Sequence, residues 1–396
     1  MKKIQILFHD AGGGHRNAAV ALEAIATQQQ RDWDMNLIQF QDLTNPLDLL
    51  RKLTGIQIQE QYNILLRNGW TMGATQILRL LQATIHLFHG QLVNLLRDYF
   101  RENPADLLVS VIPHFNREIG EAWSTVYPER PFVTLITDLA DFPPHFWIEP
   151  TPEQYVICGT EKAVQQAKEM GKEESHIFAT SGMILRPDFY IDEAVDPVAG
   201  RKEMGFEENL PTGILLFGGF GSKVMYEIVE RLEAAHTPVQ LIVVCGRNEK
   251  LKEKFLARKW NLGVYTLGFT KEVHRLMRFA DFLIGKPGPG SIAEAMVRRL
   301  PVILECNSWT LPQERYNTQW VQEKQVGIVL NDFTEIAQGV SQLLEPSRLA
   351  EVRRNVAALD NRAIFEIPEL FARLLDETIH TEIQNPRKEA CSKRSV

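Results

Sequence analysis

Three turns in this 396-residue chain combine glycines with a helix start, and two of them add a side chain that can carry charge or a proton. The first is Lys286-Pro287-Gly288-Pro289-Gly290-Ser291, between an apolar run at 282–284 and a helical pattern over 291–299. Glycines let backbone approach a bulky anion, and the free amides and dipole of a helix start favour negative charge there. A phosphate is the natural guest; Lys286 either adds a positive charge at the same mouth or is simply solvated. The second turn is His9-Asp10-Ala11-Gly12-Gly13-Gly14-His15, between the run 4–8 and a helical pattern over 16–26. His15 stands at the helix start. It can take a proton near neutral pH, its ordinary pKa being about 6.5, or it can cap backbone groups of the turn. The third turn, Gly218-Gly219-Phe220-Gly221-Ser222, repeats the anion nest after a run at 213–217. Two nests at the ends of two parallel strands can share one diphosphate.

The residues around the first turn extend this chemistry. Ser291 and Glu294 spell a capping box, with the carboxylate folded back on the helix start; alternatively Glu294 accepts both hydroxyls of a ribose. Pro312-Gln313-Glu314-Arg315-Tyr316-Asn317 then enters another helical pattern with polar groups that can hydrogen-bond a sugar ring. One segment, 279–317, can thus hold a nucleotide sugar from phosphate to hexose. Asp32-Trp33-Asp34 is a D-x-D, but it falls in the turn before a strand pattern at 35–40 and reads as solvent-facing, so no metal is expected. The glycines fit neither the G-x-G-x-x-G fingerprint nor a Walker A sequence.

The pieces GGGHRNAA, GGFGS, KPGPGSIAEA and PQERYN resemble the GT-B glycosyltransferases, specifically the group of the monogalactosyldiacylglycerol synthases and processive diacylglycerol glucosyltransferases, which resembles family 28. The resemblance covers nearly the whole chain. It implies an α/β protein of two Rossmann-like, doubly wound domains facing across a cleft. It implies a hexose, galactose or glucose, moved from a UDP-sugar to diacylglycerol with inversion at the anomeric carbon. His15 would be the catalytic base, with Asp138 of a Thr-Asp element as second-rank candidate. The donor would lie on Gly218, Gly219, Gly221, Ser222, Lys286, Gly288, Pro289, Gly290 and Ser291, with Glu294 on ribose, Gln313, Glu314 and Asn317 toward the hexose, and Phe269 in the segment that reads uracil. Gly13, Gly14, Tyr62, Trp70, His145 and Trp147 would face the acceptor, His145 having a purely structural role as its alternative. No cofactor is implied beyond the donor substrate itself.

Composition bounds the rest. The length allows two cores, and 23% charged with 44% hydrophobic residues is ordinary for a soluble globular chain. A net charge of −7 argues against nucleic acid as a partner. The four cysteines include no CxxC pair and read as reduced thiols in the cytoplasm. The opening apolar run is too short for a signal peptide, and no stretch approaches a membrane span. Within 45–101, however, six basic residues face three acidic ones in apolar helical patterns, which suits peripheral attachment to an anionic bilayer. The expected plan is an acceptor domain at 1–190 with this insertion, a linker at 191–211 and a UDP-sugar domain at 212–345. Helices at 346–380 cross back to the first domain, and a tail at 381–396 is disordered. Three other functions share the donor half: a transferase acting on another lipid or small molecule, a UDP-sugar 2-epimerase, and a non-catalytic nucleotide-sugar sensor.

Overall fold

The computed structural model describes residues 1–9, 13–44, 82, 85, 87–142, 145–151, 153–191 and 196–384, without side chains for 377–384. Tyr62, Trp70, Gly12, most of the basic stretch and the end of the tail lie outside the described residues. By contact the described chain forms two compact units. The first takes the residues up to Arg186 and regains the chain at Arg362, and the second runs from Pro187 to Asn361.

The first unit is built on strands β1 (Lys2–Phe8), β2 (Trp33–Gln39), β3 (Leu107–Ser110), β4 (Phe132–Leu135), β5 (Gln154–Cys158) and β6 (Ile177–Ala179). They lie in the order β2-β1-β3-β4-β5-β6, all parallel. Every residue of β3 and β4 is buried, the unbroken apolar run expected of parallel strands covered on both faces. The helix Gly14–Gln28 turns Ala18, Ala19, Ala21, Leu22, Ile25 and Ala26 inward, one stripe at helical spacing. On the other side the helices His89–Glu102 and Asn116–Val126 close around Leu96, Phe100, Ile119 and Trp123. From β1 the chain crosses first to β2 and later, in the opposite direction, to β3. The loops after β1 and β3 therefore diverge and leave a crevice at the strands' carboxyl ends, which is where open parallel sheets bind ligands.

The second unit repeats the logic with β7 (Thr212–Leu216), β8 (Gln240–Val244), β9 (Val264–Leu267), β10 (Phe282–Gly285), β11 (Val302–Glu305) and β12 (Gly327–Leu330). The order is β12-β11-β10-β7-β8-β9, again all parallel. Its reversal lies between β7 and β10, so the two glycine turns that follow these strands share one switch point.

β6, three partly or fully exposed residues, and β12, a four-residue apolar run, are too short to carry a period. One expectation changes. The return to the first unit begins at Arg362 rather than 346, because the helix Pro346–Ala357 places Val352 and Val356 in the second unit's core. The helix Ala363–Gln384 then packs on Gly14–Gln28, with Arg31 paired to Glu369 and the Trp33 and Phe371 rings 6.4 Å apart. Pro368 lies inside that helix without ending it, at its sixth residue, where few intrahelical amides precede it.

Candidate functional site

At the first switch point Gly13 is the N-cap of Gly14–Gln28 with φ 84°, a left-handed backbone that favours glycine, and His15 is the helix's second residue. The His15 Nδ1 lies 3.1 Å from the Thr137 hydroxyl after β4, and its ring is 5.6 Å from that of Trp147. Burial pushes the half-buried His15 down to about 4, against a hydrogen bond with the Val111 backbone that pulls it up. It is therefore a neutral imidazole at physiological pH. Two further histidines stand beside it. His9, directly after β1, sits edge-on to Phe40 and Phe115, and burial followed by the charge of His15 and His114 pushes it down to about 3. His114, after β3, has φ 72°, and its ring meets Phe146 edge-on at 4.2 Å; burial and His15 push it to about 4.

The Asp138 carboxylate accepts from the Trp147 indole N–H at 2.9 Å. Trp147, which the resemblance puts toward the acceptor, is fully buried and stands behind His15 and Asp138. His145 is half exposed with φ 63°, its Nδ1 3.4 Å from the Glu149 carboxylate. Burial pushes Glu149 up to about 8, and pushes Asp141 up to about 7 against backbone amides of residues 145–148. Gly14 is exposed, and a Cβ there would meet none of the described residues.

At the second switch point the turn after β7 is locked from inside. Gly218 and Gly221 have φ 72° and 59°, and the Arg247 amide donates to the Gly219 carbonyl at 2.8 Å. A Cβ on Gly221 would meet the Cys245 carbonyl oxygen at 2.6 Å, whereas one on Gly219 would meet none of the described residues. Ser222 accepts from the Val224 amide at 3.4 Å. Opposite, after β10, the helix runs Pro289–Val297 with Gly288 as N-cap, Pro at its first position and no capping side chain. Ser291 and Glu294 are thus the third and sixth helical residues and form no capping box, leaving the first amides of the helix without a side-chain cap. Gly290 is exposed with open space before it. Lys286 is not solvated alone: its Nζ lies 2.8 Å from Glu314 Oε1, and a Cβ on Gly218 would lie 3.7 Å from its Cε. Gln313 and Glu314 sit in a buried 3₁₀ turn. Asn317 is fully buried and donates to the Pro287 carbonyl at 2.7 Å, so it holds the turn from beneath instead of facing out of it. Phe269, 54% exposed, stands with the Arg247 guanidinium 5.1 Å from its ring.

The Asp32-Trp33-Asp34 element lies at the amino end of β2, the opposite end of the sheet from the first switch point. Both carboxylates are exposed, and Asp32 pairs with the Met1 amino group at 3.1 Å.

Comparison with known proteins places this geometry. The family 28 glycosyltransferase C-terminal domain matches residues 214–364. The probable chloroplastic monogalactosyldiacylglycerol synthase 2 of Oryza sativa subsp. japonica is 30% identical over 370 residues, covering 86% of this chain and 73% of its own. The chain belongs to the monogalactosyldiacylglycerol synthase family of glycosyltransferases. Another member, the chloroplastic synthase 1 of Arabidopsis thaliana, is 28% identical, covering 87% of this chain and 65% of its own. The GT-B fold is shared more widely. MurG of Acinetobacter baumannii aligns with TM-score 0.60 at 11% identity, over 94% of this chain and 100% of its own. UGT89C1 of Arabidopsis thaliana in complex with UDP aligns with TM-score 0.62 at 13%, over 95% and 100%.

For this synthase-family chain, the sequence places His9 at the head of the first glycine turn and His114 at the ligand-side end of a strand without giving either a role, and it does not single out Asp141 or Arg247. His9 follows β1 directly and His114 follows β3 by four residues, a signal that gains meaning once the strand order is known. Arg247 follows β8 as Gly219's partner, and nothing local marks it. The described residues contain no helix long and apolar enough to cross a membrane.

Proposed function

We propose that this protein transfers a hexose from a UDP-sugar to diacylglycerol at an anionic membrane surface, inverting the anomeric centre. The observation that carries the donor half is the shared switch point of the second sheet, where the turns at Gly218–Ser222 and Lys286–Gly288 come together at Lys286 beside a helix start. Negative charge gathers on the diphosphate as its bond to the sugar breaks. Oriented amides, the helix dipole and Lys286 stabilise that charge without reorganising. Gly219 and Gly290 support the reading, since what needs glycine there is backbone approach by a ligand. Glu294 would take the ribose hydroxyls and the Gln313–Glu314 turn the hexose, Glu314 exchanging part of its Lys286 contact for a sugar hydroxyl.

The acceptor half rests on the relatives, which are named as diacylglycerol galactosyl synthases, and on His15. A neutral imidazole whose Nδ1 is held at Thr137 can accept the proton of an attacking hydroxyl. His145 and the stretch containing Tyr62 and Trp70 are assigned to the acceptor side on the resemblance, and the basic character of that stretch supports peripheral binding to anionic lipid. No cofactor enters the proposed reaction.

The test is transfer from radiolabelled UDP-galactose, UDP-glucose and UDP-glucuronic acid to diacylglycerol, in anionic liposomes and in detergent. Wild type is expected to form labelled glycolipid, and His15→Ala to lose about 10²–10⁴-fold in rate while still binding UDP. UDP binding with no lipid labelled would end the acceptor assignment. Label loss without acceptor, or UDP affinity indifferent to donor type and to His15, would point to the epimerase or sensor.

A further inference from the structure

Asp141 belongs to none of the motifs above, yet the loop behind His15 is built on it. Its own backbone is fixed at both ends: the amide donates to Gln166 Oε1 at 2.9 Å and the carbonyl accepts from Gln166 Nε2 at 2.6 Å. Its carboxyl group, 2% exposed, accepts from the Trp147 amide at 2.7 Å through Oδ1, and the amides of His145, Phe146 and Ile148 favour its charged form, while Oδ2 has no bonded partner among the described residues. The Trp147 carbonyl is gripped from the other side by Asn116 Nδ2 at 3.0 Å and Gln154 Nε2 at 2.9 Å. This stretch belongs to no helix or strand, so these side chains replace the ladder that would otherwise fix it. What they fix is the indole. Its N–H is spent on Asp138, and its ring lies 5.6 Å from that of His15.

We propose that Asp141 is a positioning residue for the transfer reaction, its carboxyl oxygen fixing the Trp147 amide so that Trp147 holds His15 and Asp138 in register. The proposal rests on the reading of His15 as base. Ionised above about pH 7, the carboxylate only accepts, whereas an asparagine at the same place turns an NH₂ donor toward the surrounding amides. The loop would then shift, and with it the indole that backs the base.

The experiment is a double-mutant cycle of Asp141→Asn and Trp147→Phe, read as kcat and KM for the UDP-hexose at a temperature where circular dichroism finds every variant folded. Each single change is expected to lower kcat about tenfold or more with donor KM within about twofold, since misplacing a catalytic group by an ångström costs up to about 10². The double variant is expected to be no slower than the slower single one, because both act through one contact. Unchanged kcat in Asp141→Asn, additive losses, or a donor KM rising as much as kcat falls would overturn the proposal. If Asp141→Asn does not fold, Gln166→Met frees the Asp141 backbone without touching the carboxylate. It is expected to lower kcat non-additively with Trp147→Phe, and additivity there would overturn the proposal equally. Transfer by wild type that depends on His15 but not on Asp141 would sink this inference alone; no transfer by wild type would sink the reading beneath it.

Discussion

The two units use the same address for different chemistry. Each is a six-stranded parallel sheet whose order reverses once, and in each the loops after the strands at and beside the reversal carry the candidate site. The first site is made of side chains taken out of water: three histidines held neutral, with an indole and two buried carboxyls behind them. The second is made of main chain: positive-φ glycines, the uncapped start of Pro289–Val297 and one lysine. Moving a proton requires a group whose charge can change, and desolvation sets when it does. Holding a diphosphate requires donors whose charge does not change, which amides and a helix dipole supply at every pH. A switch point in a parallel sheet is thus a location, and its loops decide the reaction.

After the loss expected of His15→Ala, the sharpest way to break this contrast is a pair of glycine changes. Gly221→Ala places a Cβ 2.6 Å from a carbonyl oxygen at φ 59°. It is expected to destabilise the second unit by roughly 1–3 kcal/mol in a denaturant titration. Gly219→Ala meets none of the described residues, so the melting temperature should stay put while donor KM rises about tenfold, the loss of one charge-assisted amide contact. A Gly219→Ala enzyme with normal donor KM would mean that no anion uses that backbone. Lys286→Met is expected to raise donor KM by about tenfold, again on the scale of one charge-assisted contact, with a smaller change in kcat. A change confined to kcat would move Lys286 out of ground-state binding.

The dependence of stability on pH should also divide the units. His9, His15 and His114 have folded pKa values of about 3 to 4 against 6.5 unfolded, so their contribution is present above 6.5 and lost as pH falls toward 4. Asp141 and Glu149 are raised to about 7 and 8 from near 4, so the folded state holds their protons and loses stability as pH rises from 4 to 8. Three histidines outweigh two carboxyls below 6.5, and only the carboxyls act above it. The first unit should therefore be most protected near pH 6.5 in hydrogen exchange, after correction for the intrinsic rate. Equal pH profiles for the two units would contradict the contrast.

Much of the second site could be read directly from the chain. Its glycines, Lys286 and the proline at the helix start are neighbours in sequence, and local backbone chemistry dictates what such a turn does. Less of the first site was open to reading. His15 was visible beside its glycines, but His9, His114 and Asp141 meet it only because β1, β3 and β4 lie side by side and the loop after β4 folds back. Lys286 shows the same limit in the second unit: its charge is evident from the sequence, while its ion pair with Glu314 spans 28 positions.

The sequence by itself determined the parallel α/β units, through apolar runs ended by glycine turns, and also the donor chemistry, the family likeness and the candidate base. Only the tertiary structure decided that Trp147 is buried behind that base and that Asn317 supports the donor turn from beneath. It also decided that Ser291 caps nothing and that the chain returns to its first unit at Arg362. The reason is physical. Turn conformation and helix starts are set by neighbours along the chain, whereas burial, ion pairing and the desolvation that tunes a histidine depend on which distant segments the strand order brings together.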